Sequence, residues 1–191
     1  MYKPALSLAA VCGLLLGHAA VAAPPPSQAP STASACAAAL VALPQATTGA
    51  ENTFYSVAAP GLVTGYFKGL TDASLRRGWF GLAPTTITMR ELKASFNRSG
   101  LACDSVAALA ATRGTVIAED EGQARFATMG LGGRTAFLHR LSLPALDKTG
   151  MAGVVAVMSS SNQLAGGIEL LFVRKVDGQW VIVGRKPLIM V

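Results

Sequence analysis

The chain has 191 residues, a formal charge of +6 at neutral pH and 51% apolar residues. Its burial capacity excludes a disordered chain, and past the first two dozen residues no apolar run approaches the ~20 residues of a membrane span. That length suits one domain, given the ~100–200 residue norm.

The N-terminus has the layout of a removable secretory signal: Lys3, an apolar stretch from Ala5 to Leu16, and the small residues Ala20 to Ala23. Pro24-Pro25-Pro26 follows directly and stops any helix that the apolar stretch begins. Residues 1–23 are therefore expected to be removed, leaving about 168 residues, roughly 48% apolar, in a periplasmic or secreted protein. Cys12 lies inside the apolar stretch, preceded by Val11, and not at its end, which argues against lipidation. Only Cys36 and Cys103 remain after cleavage, and two cysteines in an exported chain are expected to form one bridge. Closing that loop would stabilise the fold by about 4 kcal/mol in the chain-entropy account. With no C-x-x-C pair, thioredoxin-type redox catalysis is excluded.

Residues 24–33, rich in Pro, Ser and Ala, read as an extended lead-in, and residues 34–191 as a single domain. Ser34 is expected to cap an Ala-rich helix from Ala35 to Leu43, which Pro44 ends. Glu51 to Val57 fits a helix or a strand. Thr71-Asp72 opens a short helical turn after the glycine-interrupted stretch Gly61 to Gly69. Thr88-Met89-Arg90-Glu91 is a capping box, followed at helical spacing by Leu92 and Phe96, with Gly100 as the closing glycine. Asp104 is expected to cap the next helix, through about Ala111, and Gly114 to end it.

From Thr115 onward the pattern turns to strands. Alternation over Phe137 to Leu143 puts Phe137, His139, Leu141 and Leu143 on one face. Val154 to Met158 is continuously apolar and is expected to be covered on both faces. Asp177-Gly178 is a type I′ hairpin dipeptide, whose register would pair Phe172 with Val183, Val173 with Ile182 and Lys175 with Trp180. The expected class is α+β, with N-terminal helices packed on one face of a curved antiparallel sheet built mainly by the C-terminal half.

Chemistry-bearing motifs are sparse. After cleavage His139 is the one histidine, so a His-rich metal site is excluded, and no Gly-x-Ser-x-Gly or Ser-x-x-Lys supplies a nucleophile. Glu119-Asp120-Glu121 lacks the alternating spacing of a calcium loop and reads as a solvated turn. Gly130 to Thr135 lacks the ending of a phosphate loop and enters a strand. No metal site and no cofactor is expected. Basic residues are dispersed without interleaved aromatics, and export weighs against a nucleic-acid partner. Arg76-Arg77-Gly78-Trp79-Phe80 sets two large aromatics beside two cations, either to close the core or to form a binding lip.

The second half resembles a group of small exported bacterial proteins. The resemblance rests on Leu141-Ser142-Leu143-Pro144, Val154 to Val157, Leu164 to Gly167 and the hairpin Leu170 to Trp180, with Glu51 to Ser56 and Thr86 to Phe96 matching an opening segment and a middle helix. The Asp-Gly-x-Trp hairpin is also similar to the last strands of cystatin-like and NTF2-like proteins. That likeness implies a helix against a curved sheet with a pocket between them, and it transfers no activity.

The favoured expectation is a non-catalytic binding or accessory module of the cell envelope, taking an envelope protein, a polymer or a small apolar ligand through the helix-to-sheet cleft or the Trp79 region. One alternative is an NTF2-like pocket enzyme working by proton transfer with His139 or Glu169 as base. Another is a secreted inhibitor or immunity-like protein that presents an exposed apolar patch.

Overall fold

The structure is a computed structural model that describes residues 31–46, 50–61, 70–118, 128, 135–161 and 165–190. The leader, most of the lead-in, the stretch 62–69, the acidic triplet 119–121 and the glycines at 130–133 lie outside the described residues.

Helix α1 (Thr32–Ala42) begins three residues before the expected start. Ser31 is its cap and accepts from the Ser34 amide at 3.2 Å, while the Ser34 hydroxyl donates to the Gly150 carbonyl. Either serine fits the capping chemistry, and the earlier one caps, which adds Thr32, Ala33 and Ser34 to the helix. Leu43, ahead of Pro44, turns to extended geometry and ends it as expected. The undecided segment after it resolves into a 3-10 turn, Ala50–Asn52, and the strand β1 (Thr53–Ser56), buried at all four positions.

Helix α2 (Asp72–Leu75) is capped by Thr71, with Ser74 closing a reciprocal box. Strand β2 (Phe80–Gly81) follows, then α3 (Met89–Phe96), in which Thr88 and Glu91 form the expected capping box. Asp72 adds a carboxylate oxygen 2.6 Å from the Met89 amide, so one short helix helps to cap another. Helix α3 ends at Asn97, and Gly100 instead opens a 3-10 turn, Gly100–Ala102. A side chain at Gly100 would stand 2.9 Å from Leu141 Cδ2, so close packing is what requires glycine there. Helix α4 (Asp104–Arg113) takes Cys103 as its cap residue without a side-chain bond; Asp104 is its first helical residue, and Gly114 ends it. The Cys36–Cys103 disulfide forms and ties α1 to the start of α4.

The remaining strands are β3 (Thr115–Ile117), β4 (Phe137–Leu141), β5 (Ala145–Leu146), β6 (Ala152–Ser161), β7 (Gly166–Val176) and β8 (Gln179–Met190). They form one sheet ordered β2-β8-β7-β6-β4-β1-β3, with β5 beside β6. The α+β class holds, and most strands come from the C-terminal half. The sheet is mixed, because β1 runs parallel to both β3 and β4.

The helices occupy both faces instead of one. Val155, Val157, Leu171 and Val173 pack with α1 and α4, while Val154, Ala156, Leu170 and Phe172 pack with α2 and α3. The continuous apolar run of β6 already demands this, because neighbouring residues point to opposite faces and each face needs its own cover.

The hairpin turn has φ of 49° at Asp177 and 81° at Gly178, as a type I′ turn requires. Val173 faces Ile182 and Lys175 faces Trp180 as expected, but Phe172 lies opposite Gly184. An irregularity between Phe172 and Val173 shifts the register by one, and the Val183 carbonyl accepts from the Leu82 amide just beyond β2.

Gly178→Val should destabilise the domain by about 1–2 kcal/mol, because a β-branched residue is penalised at positive φ. Thermal unfolding would show this as a midpoint lowered by about 2–6 °C, and an unchanged midpoint would contradict the turn assignment.

Candidate functional site

Helix α1 has 11 residues and spans about 16 Å, whereas β7 beneath it also has 11 residues and spans about 37 Å. The helix therefore covers only part of its sheet face. Alanines 35, 38, 39 and 42 are buried against the sheet, where small side chains permit close approach. The exit from the helix is held from two sides. Tyr55 on β1 donates its hydroxyl to the Pro44 carbonyl at 2.8 Å, and Arg113 at the end of α4 donates to the Leu43 and Pro44 carbonyls at 2.7 and 3.3 Å. Burial raises the Tyr55 pKa and the nearby Arg113 guanidinium lowers it less, so the phenol stays protonated and remains a donor.

Between this pinned exit and the sheet lies a cleft of about 450 Å³. Residues 41–45 form its roof; Phe137, His139, Val157, Ser159, Leu171 and Ile182 line the sheet side, together with Glu169 and Arg185. His139 and Glu169, expected as alternative bases, thus share one cleft.

His139 is 4% exposed, and it is paired in register with Ser159 on the neighbouring strand. Its Nδ1 lies 2.8 Å from the Ser159 hydroxyl, and its Nε2 is buried with no partner among the described residues. The Phe137 ring lies almost parallel to the imidazole, at 8° and 6.4 Å, and the Tyr55 ring is 5.4 Å away. Burial lowers the His139 pKa to about 4, so the ring is neutral at physiological pH. Glu169 pairs with Arg185 at 3.3 Å, and both side chains are partly exposed. A neutral imidazole beside a serine, with the two charges among the described lining residues paired, suits weakly polar recognition. It gives poor proton abstraction, because a base of pKa near 4 has little driving force at neutral pH.

The Trp79 region is divided. Trp79 is half-buried, packs edge-on against Phe172 at 6.2 Å, and donates its indole N–H to the Leu75 carbonyl. Phe80 is 72% exposed, and Arg76 and Arg77 are exposed beside it. Lys186, buried beneath, donates to the Ser74 and Arg77 carbonyls and so holds the end of α2 and the following turn. Desolvation, and then the charge of Arg77, lower the Lys186 pKa. Trp79 therefore acts chiefly as packing, leaving Phe80 and the two arginines as surface. No cluster of metal-ligating side chains occurs among the described residues.

Sequence reasoning names His139 and Glu169 but misses Ser159. Its signal was available in the alternation, since an antiparallel partner of the His139 strand must present a residue beside the ring.

Two outcomes are expected. Trp79→Ala should cost about 2–4 kcal/mol in urea unfolding, whereas Phe80→Ala should stay within about 0.5 kcal/mol. Similar losses from both would place Phe80 in the core. Below pH 6.5 the unfolded chain protonates His139 while the folded chain does not, so stability falls with pH down to about 4 and this contribution then levels off. The loss amounts to about 3 kcal/mol from the 2.5-unit difference and should vanish from the pH dependence of His139→Phe. An identical pH dependence in the two proteins would show that the ring titrates normally.

No family model, curated protein or solved structure matches the chain, so what the cleft can do follows from its own residues.

Proposed function

We propose that the protein is an exported, non-catalytic binding module of the cell envelope that takes a small, largely apolar molecule in the cleft between the end of α1 and the sheet. The cleft itself carries this reading. Its volume of about 450 Å³ lies within the ~300–1,000 Å³ range of small-molecule sites, and Val157, Leu171, Ile182, Phe137 and Pro44 provide apolar surface around a few polar groups. Export accords with the signal-like N-terminus and with the Cys36–Cys103 bridge, which suits an oxidising compartment. No helix among the described residues is long and apolar enough to cross a membrane.

Proton-transfer catalysis is the second reading, because His139 and Glu169 line the same cleft. It is the weaker one. His139 is a poor base at neutral pH, and the Glu169 carboxylate is engaged by Arg185.

Ligand-observed NMR with a mixture of small aromatic and aliphatic fragments tests the proposal. Several fragments should bind to the wild-type protein and lose binding in Ile182→Trp, which fills the cleft, while thermal unfolding of the variant stays within a few degrees. Absence of any bound fragment, or unchanged binding in the variant, would overturn the cleft assignment. The mass of the protein recovered from its producing cells should be short by about 23 residues; retention of Cys12 would overturn export by cleavage.

A further inference from the structure

Resting on that cleft reading, we infer that the ligand is an uncharged apolar molecule with one hydrogen-bonding group, a hydroxyl or a carbonyl, received by the paired Ser159 and His139 side chains. Three observations lead there. The first is Ser159, a residue that lines the cleft and is only half-buried, and whose hydroxyl bonds the His139 ring.

The second concerns the imidazole behind it. The tautomer of a buried histidine is ordinarily fixed by whatever the distal nitrogen bonds. Here Nε2 has no partner among the described residues, and nothing on that side imposes a choice. If Nδ1 carries the proton, it donates to Ser159 Oγ and the serine hydroxyl is free to donate to a ligand carbonyl. If Nε2 carries it, the serine donates to Nδ1 and its oxygen is free to accept from a ligand hydroxyl. The pair thus works as one polar contact that serves either sense of hydrogen bond.

The third is charge. Arg185 is the only cation and Glu169 the only anion among the described residues of the lining, and they form a partly exposed ion pair at 3.3 Å. A ligand carboxylate or ammonium would have to lose its hydration and compete with that pair, while the apolar lining offers it no compensation.

A matched probe series tests the assignment: naphthalene, 2-naphthol and 2-naphthoate, titrated against the isolated protein by ligand-observed NMR. 2-Naphthol should bind about three- to ten-fold more tightly than naphthalene, the difference one neutral hydrogen bond makes, and 2-naphthoate more weakly than either. Ser159→Ala should bring 2-naphthol level with naphthalene and leave naphthalene binding unchanged. Ring nitrogen shifts of His139 in the wild-type protein provide a readout that needs no variant, and should move with 2-naphthol but not with naphthalene. Preference for 2-naphthoate, equal binding of all three probes, or a 2-naphthol preference that survives Ser159→Ala would overturn this inference and leave the cleft reading standing. If none of the probes binds, the cleft is closed to small molecules and both fail.

Discussion

Strand β6 lies near the middle of the sheet and has no polar face along its first half. Val154, Val155 and Ala156 are fully buried, on alternating sides. A strand of this kind is stable only if water is excluded from both faces, and at roughly 25 cal/mol per Å² each large apolar side chain left uncovered forgoes about 2 kcal/mol. The division of the helices follows: α1 and α4 on one side, α2 and α3 on the other. The short helices on the α3 side are held by reciprocal polar contacts because they are too short to be stable alone. Thr88 with Glu91, Asp72 with the Met89 amide and Lys186 with the end of α2 satisfy backbone groups that helix termini otherwise leave unpaired.

The opposite face is covered differently, and that difference creates the cleft. Helix α1 approaches on alanines; the Ser34 hydroxyl bonded to the Gly150 carbonyl holds it near its start, the disulfide to Cys103 near its middle, and Tyr55 and Arg113 hold the backbone at its end. A helix fixed at both ends cannot slide along the sheet to cover the rest of it. The strands beneath are about twice as long as the helix, so the cleft beside Val157, Leu171 and Ile182 opens where the helix ends and residues 43–45 take over as cover. The cleft is thus a consequence of mismatched lengths combined with fixed ends.

Local chemistry was the most legible part of the sequence. The capping box at Thr88, the type I′ turn at Asp177-Gly178 and the pairing of two cysteines each depend on a few residues, and each takes its expected form. Beyond cap positions misplaced by a few residues, at α1 and α4, what failed depends on distant partners. Gly100 looks like a helix terminator by position, yet Leu141, 41 residues on in the chain, decides its role. The register slip at Phe172 reflects a neighbouring strand, β2, that no local pattern around the hairpin reveals. The parallel pairing of β1 likewise requires knowing which strands flank it. For the site, His139 and Glu169 could be named as titratable residues, but their convergence on one cleft, and Ser159 beside the ring, required the strand pairings.

The cost of keeping His139 uncharged in this place bears on what the cleft is for. Burial removes the ring from water, and Nε2, which has no partner among the described residues, adds a penalty of about 1–3 kcal/mol for an unsatisfied polar atom. A phenylalanine would avoid both terms, but its larger ring would crowd Phe137 and Tyr55 and leave the Ser159 hydroxyl without its nitrogen partner. What the imidazole supplies and a phenyl ring lacks is a neutral nitrogen bonded to the Ser159 hydroxyl. That contact reaches the cleft through the half-buried serine, and it is the one the proposed ligand would use.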